Sequence, residues 1–200
     1  MTDGLYRHQD VTFKSPWYRV ASALWQRYPN PFSNHVLSED TIERTVDSNG
    51  VLRSKKIMIK RGSKLPNWAK MIAPVLSQAG IIEESIVDPT TQQFITYTRN
   101  FTAKKYLVVE EKCTYMASLE NSNWTQCIKQ VWFKSSLMGV SRAIELYTSD
   151  RYKRNASKAE KGLQFVLTKL YNEVWSSGTT AENYKSFHKH TAPSFTSTHS

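Results

Sequence analysis

The sequence has no run of 18 or more apolar residues, no glycine-rich nucleotide loop and only two cysteines. The missing apolar run excludes a membrane-spanning helix. Cys113 and Cys127 lack the spacing of a metal or redox motif; they could pair, but we expect two reduced, half-buried thiols on neighbouring strands. No Walker loop or dinucleotide fingerprint occurs, and we expect no cofactor and no metal. The first ten residues are too polar for a secretory signal and carry no Arg-rich presequence, so we expect neither.

Positive charge is in excess, with 27 Lys and Arg against 17 Asp and Glu and a formal net charge of +10. Such an excess favours polyanionic partners: nucleic acid, an anionic membrane or a phosphorylated ligand. Six tryptophans and ten tyrosines make a basic single-stranded nucleic-acid binder one alternative, because aromatic rings stack on bases. The basic residues share no obvious stripe with the aromatics, and no RNA-binding motif occurs. We therefore expect no nucleic-acid partner.

Hydrophobic periodicity and turn residues predict an α+β fold with one antiparallel sheet of about seven strands and helices packed on a single face. The predicted strands are 5–13, 35–47, 51–61, 80–88, 93–102, 106–119 and 124–136. The predicted helices are 16–28, begun by Ser15 as N-cap and ended by Pro29, a short helix or ordered loop at 66–73, and a long helix at 139–175. We expect one domain, 1–175, and a disordered Ser/Thr-rich tail at 176–200.

The long helix carries an apolar stripe that turns polar in its middle. Val140, Ile144 and Tyr147 begin the stripe, and leucines and valine finish it beyond residue 162. Steps of three and four through the middle meet Arg151, Asn155, Lys158 and Gly162. A buried unpaired cation is costly, so either the helix bends towards solvent there, or this face meets something anionic or wet.

Two basic segments lie between the second and fourth predicted strands. Residues 53–64 contain six Lys and Arg and no acid, and on a strand Lys56, Met58 and Lys60 share one face. This pattern fits either an edge strand protected by lysines or a basic wall beside an anion site. Further on, Trp68, Met71 and Ile72 follow Lys64, which is typical of a helix covering the sheet or of a flap that dips into a membrane interface.

Enzyme motifs are weak. Gly139-Val-Ser-Arg-Ala143 lacks the second glycine of a nucleophile elbow, which argues against a phospholipid hydrolase. Glu83-Glu84 and Glu110-Glu111 lie on predicted strands, where neighbouring side chains point to opposite faces. We therefore interpret them as solvated charges or local ion pairs rather than paired catalytic carboxylates.

Several segments together resemble the PRELI/slowmo family, over about residues 5 to 175. The most specific is Arg27-Tyr-Pro-Asn-Pro-Phe-Ser-Asn-His-Val-Leu37, which keeps the family's K/R-Y-P-N-P signature intact. The other matching segments are Ser38-Glu-Asp40, Lys64-Leu-Pro-Asn-Trp68, Glu84-Ser-Ile-Val-Asp-Pro89, Thr96-Tyr-Thr-Arg-Asn100, Val109-Glu-Glu111 and Gly139-Val-Ser-Arg142. Arginine before YPNP and histidine before Val-Leu make the branch that carries phosphatidic acid the most similar one.

The resemblance implies a curved seven-stranded sheet with helices over its concave side and a START-like or phosphatidylinositol-transfer-like lipid cavity. It implies a non-enzymatic carrier of phosphatidic acid between the outer and inner mitochondrial membranes, supporting cardiolipin synthesis. The implied location is the intermembrane space, the implied partner is a small helical twin-CX9C protein, and contact with anionic membranes is transient. A phosphatidylserine carrier of the same family is the alternative.

Head-group contacts carry over from the family position by position. They are Arg27 and His35 in the opening block, Lys56, Lys60 and Lys64 in the basic segment, and Arg151, Asn155 and Lys158 on the long helix. The helix positions coincide with the polar part of the stripe. Trp68, Met71 and Ile72 would form the membrane-contacting lid.

Overall fold

A seven-stranded sheet with two helices on one face makes up the part of the chain that the computed structural model describes, residues 4–61 and 78–172. The strands are β1 (Leu5–Phe13), β2 (Val36–Val46), β3 (Leu52–Arg61), β4 (Gln78–Asp88), β5 (Gln93–Asn100), β6 (Leu107–Ala117) and β7 (Thr125–Ser135). The helices are α1 (Trp17–Trp25) and α2 (Ser141–Tyr171). The α+β prediction is confirmed. The predicted short helix at 66–73, Lys64, the lid residues Trp68, Met71 and Ile72, and the tail at 176–200 lie outside the described residues.

The sheet order is β1-β7-β6-β5-β4-β3-β2, and every neighbouring pair is antiparallel. Strands β2 to β7 form a meander, and short polar turns connect β2 to β3, β4 to β5 and β6 to β7. In the β2–β3 turn the Asp47 carboxylate accepts hydrogen bonds from the backbone N–H groups of Asn49 and Val51, at 2.9 and 3.1 Å. Gly50 follows with φ of 78°, a conformation that suits glycine. The hairpin prediction at residues 47–50 is confirmed.

Helix α1 is shorter than predicted at both ends. It begins after Pro16, which takes the N-cap position instead of Ser15. It ends at Trp25 rather than near Pro29, because side-chain hydrogen bonds favour a turn there. The Asn30 amide donates to the Arg27 carbonyl at 2.6 Å and accepts from the Phe32 N–H at 2.9 Å. This turn carries the opening motif away from the helix and under α2.

The packed half of the covered sheet face lies beneath α1 and the C-terminal half of α2. Its core includes Val20, Ala23, Cys127 and Leu167, all 0% exposed, with inward-facing residues of β1, β5 and β6 around them. Burial of this apolar surface is the main stabilising contribution. No helix of the described ranges is long and apolar enough to cross a membrane.

Polar contacts attach the N-terminal two-thirds of α2 to the sheet. Glu145 accepts from the Ser135 N–H at 3.1 Å, Ser149 from Arg7 Nε at 3.2 Å, and the Tyr152 hydroxyl donates to Glu111 at 2.8 Å. These three α2 residues, with Glu160 further along, recur at helical spacing, so they define one sheet-facing stripe. The sequence stripe through Arg151 and Asn155 runs beside this one.

Candidate functional site: a cavity with a cationic rim

A cavity of about 360 Å³ lies between the N-terminal half of α2 and the inward face of β3 to β7. Strand alternation directs Met58, Ile81, Val109 and Phe133 into it, and Ile144 of α2 faces them. The volume falls within the range of about 300–1,000 Å³ usual for ligand sites. We call this part of the covered face the cavity half, because no described helix fills it.

Five of the predicted head-group residues line this cavity. They are Arg27, His35, Lys60, Arg151 and Asn155. They come from three separate segments: the motif after α1, the inward face of β3 and the polar part of the α2 stripe. The structure thus brings together residues that the family resemblance grouped, although their role as ligands remains a prediction.

Three cations, Lys60, Arg151 and Lys158, form what we call the cationic rim. Each is close enough to His35 for its positive charge to act on the imidazole ring. Burial first, and then the charges of Lys60, Lys158 and Arg151, lower the pKa of His35 from 6.5 to about 4. His35 is therefore neutral at pH 7. The salt bridges found within 4–61 and 78–172 involve neither Lys60 nor Arg151. A rim of this kind attracts an anion.

Arg27 lies in a different electrostatic environment. It forms a buried ion pair with Glu83, and its side chain is 17% exposed while that of Glu83 is 6% exposed. Burial alone would lower the pKa of Arg27, but the Glu83 carboxylate outweighs this and raises it well above the ordinary value. The Arg27 charge is thus already neutralised within the protein.

Two predicted head-group residues are not in the cavity lining. Lys56 points inward beside Met58, but it is 5% exposed, donates to Glu39 at 2.6 Å and lies over the Trp25 ring at 4.8 Å. Lys158 is exposed on α2, near enough to act on His35. Both assignments stay predictions, with Lys158 at the rim and Lys56 already occupied by Glu39.

Sequence reasoning missed several charged residues in the cavity. Lys129 lines it and donates to Glu160 at 2.7 Å, where Gln9 also donates at 3.2 Å. Burial alone would lower the pKa of Lys129, but Glu160 outweighs it and raises this pKa. Glu111 lines the cavity as well. Strand alternation alone could have placed Lys129 and Glu111 on an inward face. The sequence around them does not indicate their partners on α2, which are Glu160 for Lys129 and Tyr152 for Glu111.

Glu83 and Glu84 point to opposite faces, as predicted. Glu83 is the inward partner of Arg27, and Glu84 pairs with Lys55 at 2.9 Å on the other face. The interpretation as a local ion pair fits Glu84, but for Glu83 it was wrong, because Glu83 is buried and pairs with Arg27, which is 56 positions away in the sequence. Cys113 and Cys127 are free, as predicted, but they are fully buried rather than half-buried, because both belong to the core beneath α1.

The fold belongs to a class of helix-over-sheet proteins with an internal cavity. A START superfamily protein from Mycobacterium smegmatis superposes with a TM-score of 0.53 at 11% identity, covering 82% of this chain and 99% of that one. A likeness at such low identity defines the fold, and it confirms the START-like architecture.

The sequence places the chain more narrowly, since residues 18–173 match the PRELI-like family. The PRELI domain-containing protein 1, mitochondrial, of Bos taurus is 42% identical over 163 residues, covering 80% of this chain and 74% of that protein. The protein UPS1, mitochondrial, of Saccharomyces cerevisiae is 38% identical over 159 residues, covering 79% and 90%. The chain belongs to the PRELI-like family, as its motifs predicted.

Proposed function

We propose that this protein carries phosphatidic acid between the outer and inner mitochondrial membranes without any covalent step. The observation that carries the proposal is the rim of Lys60, Arg151 and Lys158, which opens onto a cavity with Met58 and Ile81 in its wall. An apolar interior with a cationic rim matches a molecule that has an anionic head and apolar chains.

The charge of the rim favours a phosphate monoester. Such a head group carries roughly −1.5 to −2 at pH 7 and presents three acceptor oxygens. Arg151 can bind two of them in a bidentate arrangement, and Lys60 adds a compact charge. Residues 62–77, which follow Lys60 closely in the sequence, contain no Asp or Glu, so that segment has no carboxylate with which to neutralise the rim.

The apolar wall of the cavity offsets the free-energy cost of removing the lipid chains from the bilayer, which is the larger energetic cost of transfer. Exposing a lipid chain to water costs about 0.8 kcal/mol per CH₂, so two ordinary chains would cost on the order of 20 kcal/mol. A carrier must replace the bilayer with apolar side chains of its own. Loading also requires the cavity to open at a membrane, which is the role we assign to Trp68, Met71 and Ile72.

The cellular setting is proposed from the family. Two relatives are named as mitochondrial proteins, and we place this chain in the intermembrane space, with residues 1–175 as the lipid-binding domain. A twin-CX9C protein is the proposed stabilising partner, and contact with anionic membranes is transient. Delivered phosphatidic acid would feed cardiolipin synthesis.

Transfer between two liposome populations tests the proposal, with phosphatidic acid, phosphatidylserine and phosphatidylcholine labelled in turn. We expect selective transfer of intact phosphatidic acid, and a loss of about tenfold or more in Lys60→Ala and in Arg151→Ala, because each removes a charge-assisted contact. Lys169→Ala is the matched control, since it removes an equal charge from the last turn of α2. Equal losses in all three variants would contradict the head-group assignment.

The same assay separates the alternatives. Preferential movement of phosphatidylserine would keep the family and change the substrate. Product analysis by mass spectrometry would reveal a hydrolase. Ser141, the serine of the incomplete nucleophile-elbow motif, donates its hydroxyl hydrogen to the Leu137 carbonyl in the structure. A nucleic-acid binder that stacks bases on its sheet would need accessible rings there, whereas the sheet residues Phe94, Tyr115 and Phe133 are at most 6% exposed; Tyr18, on α1, is 57% exposed.

A further inference from the structure

Glu83 is a buried carboxylate in the cavity wall that the predicted head-group set does not include. It is 5% exposed, lines the cavity and pairs with Arg27. Arg27 Nη2 also lies 3.9 Å from Met58 Sδ, and Arg27 Nε is buried with no hydrogen-bond partner among the described residues. The guanidinium is therefore held by one carboxylate while one of its N–H groups remains unsatisfied.

We propose that Glu83 is an internal counterion which a lipid phosphate must displace from Arg27, and that this competition makes the cavity select phosphate monoesters over phosphodiesters. The inference rests on the proposed function, because it concerns the same head-group site. Glu83 is then a specificity-determining residue that acts on the lipid through Arg27.

Charge and geometry explain the selectivity. A carboxylate offers one negative charge and two acceptor oxygens, and a phosphodiester offers about the same, so exchange on Arg27 gains little. A phosphate monoester carries more charge and a third oxygen. It can take the guanidinium in a bidentate contact and still reach the rim cation Lys60, so it alone outcompetes Glu83.

The displaced carboxylate has a second cation within reach. Lys56 lies directly opposite Glu83 in the register of β3 and β4, and Thr98 is opposite Glu83 on β5. Residues paired in this way have Cβ atoms roughly 4.5–5.5 Å apart. Lys56 already donates to Glu39 at 2.6 Å, and because its ammonium carries three N–H donors it can also donate to Glu83. Replacement of Glu83 by a phosphate on Arg27 therefore needs a rotation of the Glu83 side chain. It leaves neither Glu83 nor Arg27 buried without an oppositely charged partner.

Glu83→Gln tests the inference, with Glu84→Gln as the matched control on the opposite face of the same strand. The full chain would transfer labelled phosphatidic acid and labelled phosphatidylglycerol, a singly charged phosphodiester, between phosphatidylcholine vesicles. We expect Glu83→Gln to reduce the preference for phosphatidic acid by about tenfold, mainly through faster phosphatidylglycerol transfer. Glu84→Gln should keep the wild-type preference.

Each outcome has a distinct meaning. An unchanged preference in Glu83→Gln overturns the inference and leaves the proposed carrier function intact. A wild-type protein that transfers no phospholipid overturns the carrier function itself. If circular dichroism shows that Glu83→Gln does not fold, the test is made on the wild-type protein instead. The Arg27 side chain is then followed by NMR during titration with dihexanoyl phosphatidic acid, and we expect the contact between Glu83 and Arg27 to be lost. A contact that persists in the loaded protein overturns the inference.

Discussion

The packed half and the cavity half share the same strands and the same inward alternation, yet one is filled and the other hollow. On β5, Phe94 is buried in the core and packs on the ring of Trp25 in α1, whereas Thr96 and Thr98 line the cavity. On β6, Cys113 and Tyr115 lie at the boundary, because they belong to the core and also line the cavity. The difference comes from what lies above the sheet: α1 covers Phe94, and only α2 passes over the cavity. One sheet can therefore supply both stability and a binding site.

Charge divides the two halves as well. The core under α1 contains apolar side chains, and the boundary holds two buried ion pairs, Lys129–Glu160 and Arg27–Glu83. At the rim, Lys60 and Arg151 take part in none of the salt bridges seen among the described residues. The ion-paired charges thus lie at the boundary between the two halves. Lys60 and Arg151, which have no salt bridge among the described residues, lie at the rim, where a ligand would enter.

The largest change in stability should follow from removing the Lys129–Glu160 ion pair at the boundary between the two halves. Glu160→Ala leaves Lys129 buried without its carboxylate, and we expect a loss of about 3–5 kcal/mol in the free energy of unfolding. Denaturant unfolding would measure it. The double variant Lys129→Met/Glu160→Leu should recover most of the loss, because it removes both charges. A loss below about 1 kcal/mol in Glu160→Ala would show that the pair is solvated and that the halves are not joined there.

Matched truncations on α2 sharpen the comparison. Leu167, in the packed half, is 0% exposed, so Leu167→Ala should cost about 2–5 kcal/mol of unfolding free energy by leaving a void. Ile144 faces space that already exists, so Ile144→Ala should cost less than about 1 kcal/mol while it slows lipid transfer. Thermal unfolding and the liposome assay measure the two effects. Equal stability losses would mean that the cavity half is as well packed as the core.

Local patterns predicted what is local in this fold. Alternation and turn residues predicted every strand, and the stripe on the long helix predicted that Arg151 and Asn155 share a face, which lines the cavity. Family resemblance added His35. In each case, neighbours in sequence carry the signal, since strand and helix periods fix which side chains share a face.

Long-range pairing was beyond the sequence. Arg27 and Glu83 are 56 positions apart and Lys129 and Glu160 are 31 apart, so nothing local indicates that they meet. Lys56 shows the same limit: its face was predicted together with that of Lys60, but its contacts with Glu39 and Trp25 depend on the register of β2 and on where α1 packs. Periodicity gives the face, and only tertiary structure gives the partner.

The smallest expected effect concerns His35, whose pKa is lowered to about 4 by burial first and then by the charges of the rim. Because the unfolded chain keeps a histidine pKa near 6.5, it binds a proton first as pH falls from about 6.5 to 4. The contribution of His35 to stability is therefore present above pH 6.5 and is lost towards pH 4. The difference in unfolding free energy between wild type and His35→Gln, measured across this range, isolates the effect from other titrating groups.

A bound phosphate should reverse the sign of the field at His35. NMR titration of the imidazole would then give a pKa well above 4 in the protein loaded with dihexanoyl phosphatidic acid, because the anion stabilises the protonated ring. Lys60→Ala should raise the pKa of His35 in the empty protein too, since it removes one repelling charge. An identical histidine pKa in the empty and loaded protein would place the phosphate away from His35. The rim would then attract the lipid without contacting its head group, and the hollow half would bind it through the apolar wall alone.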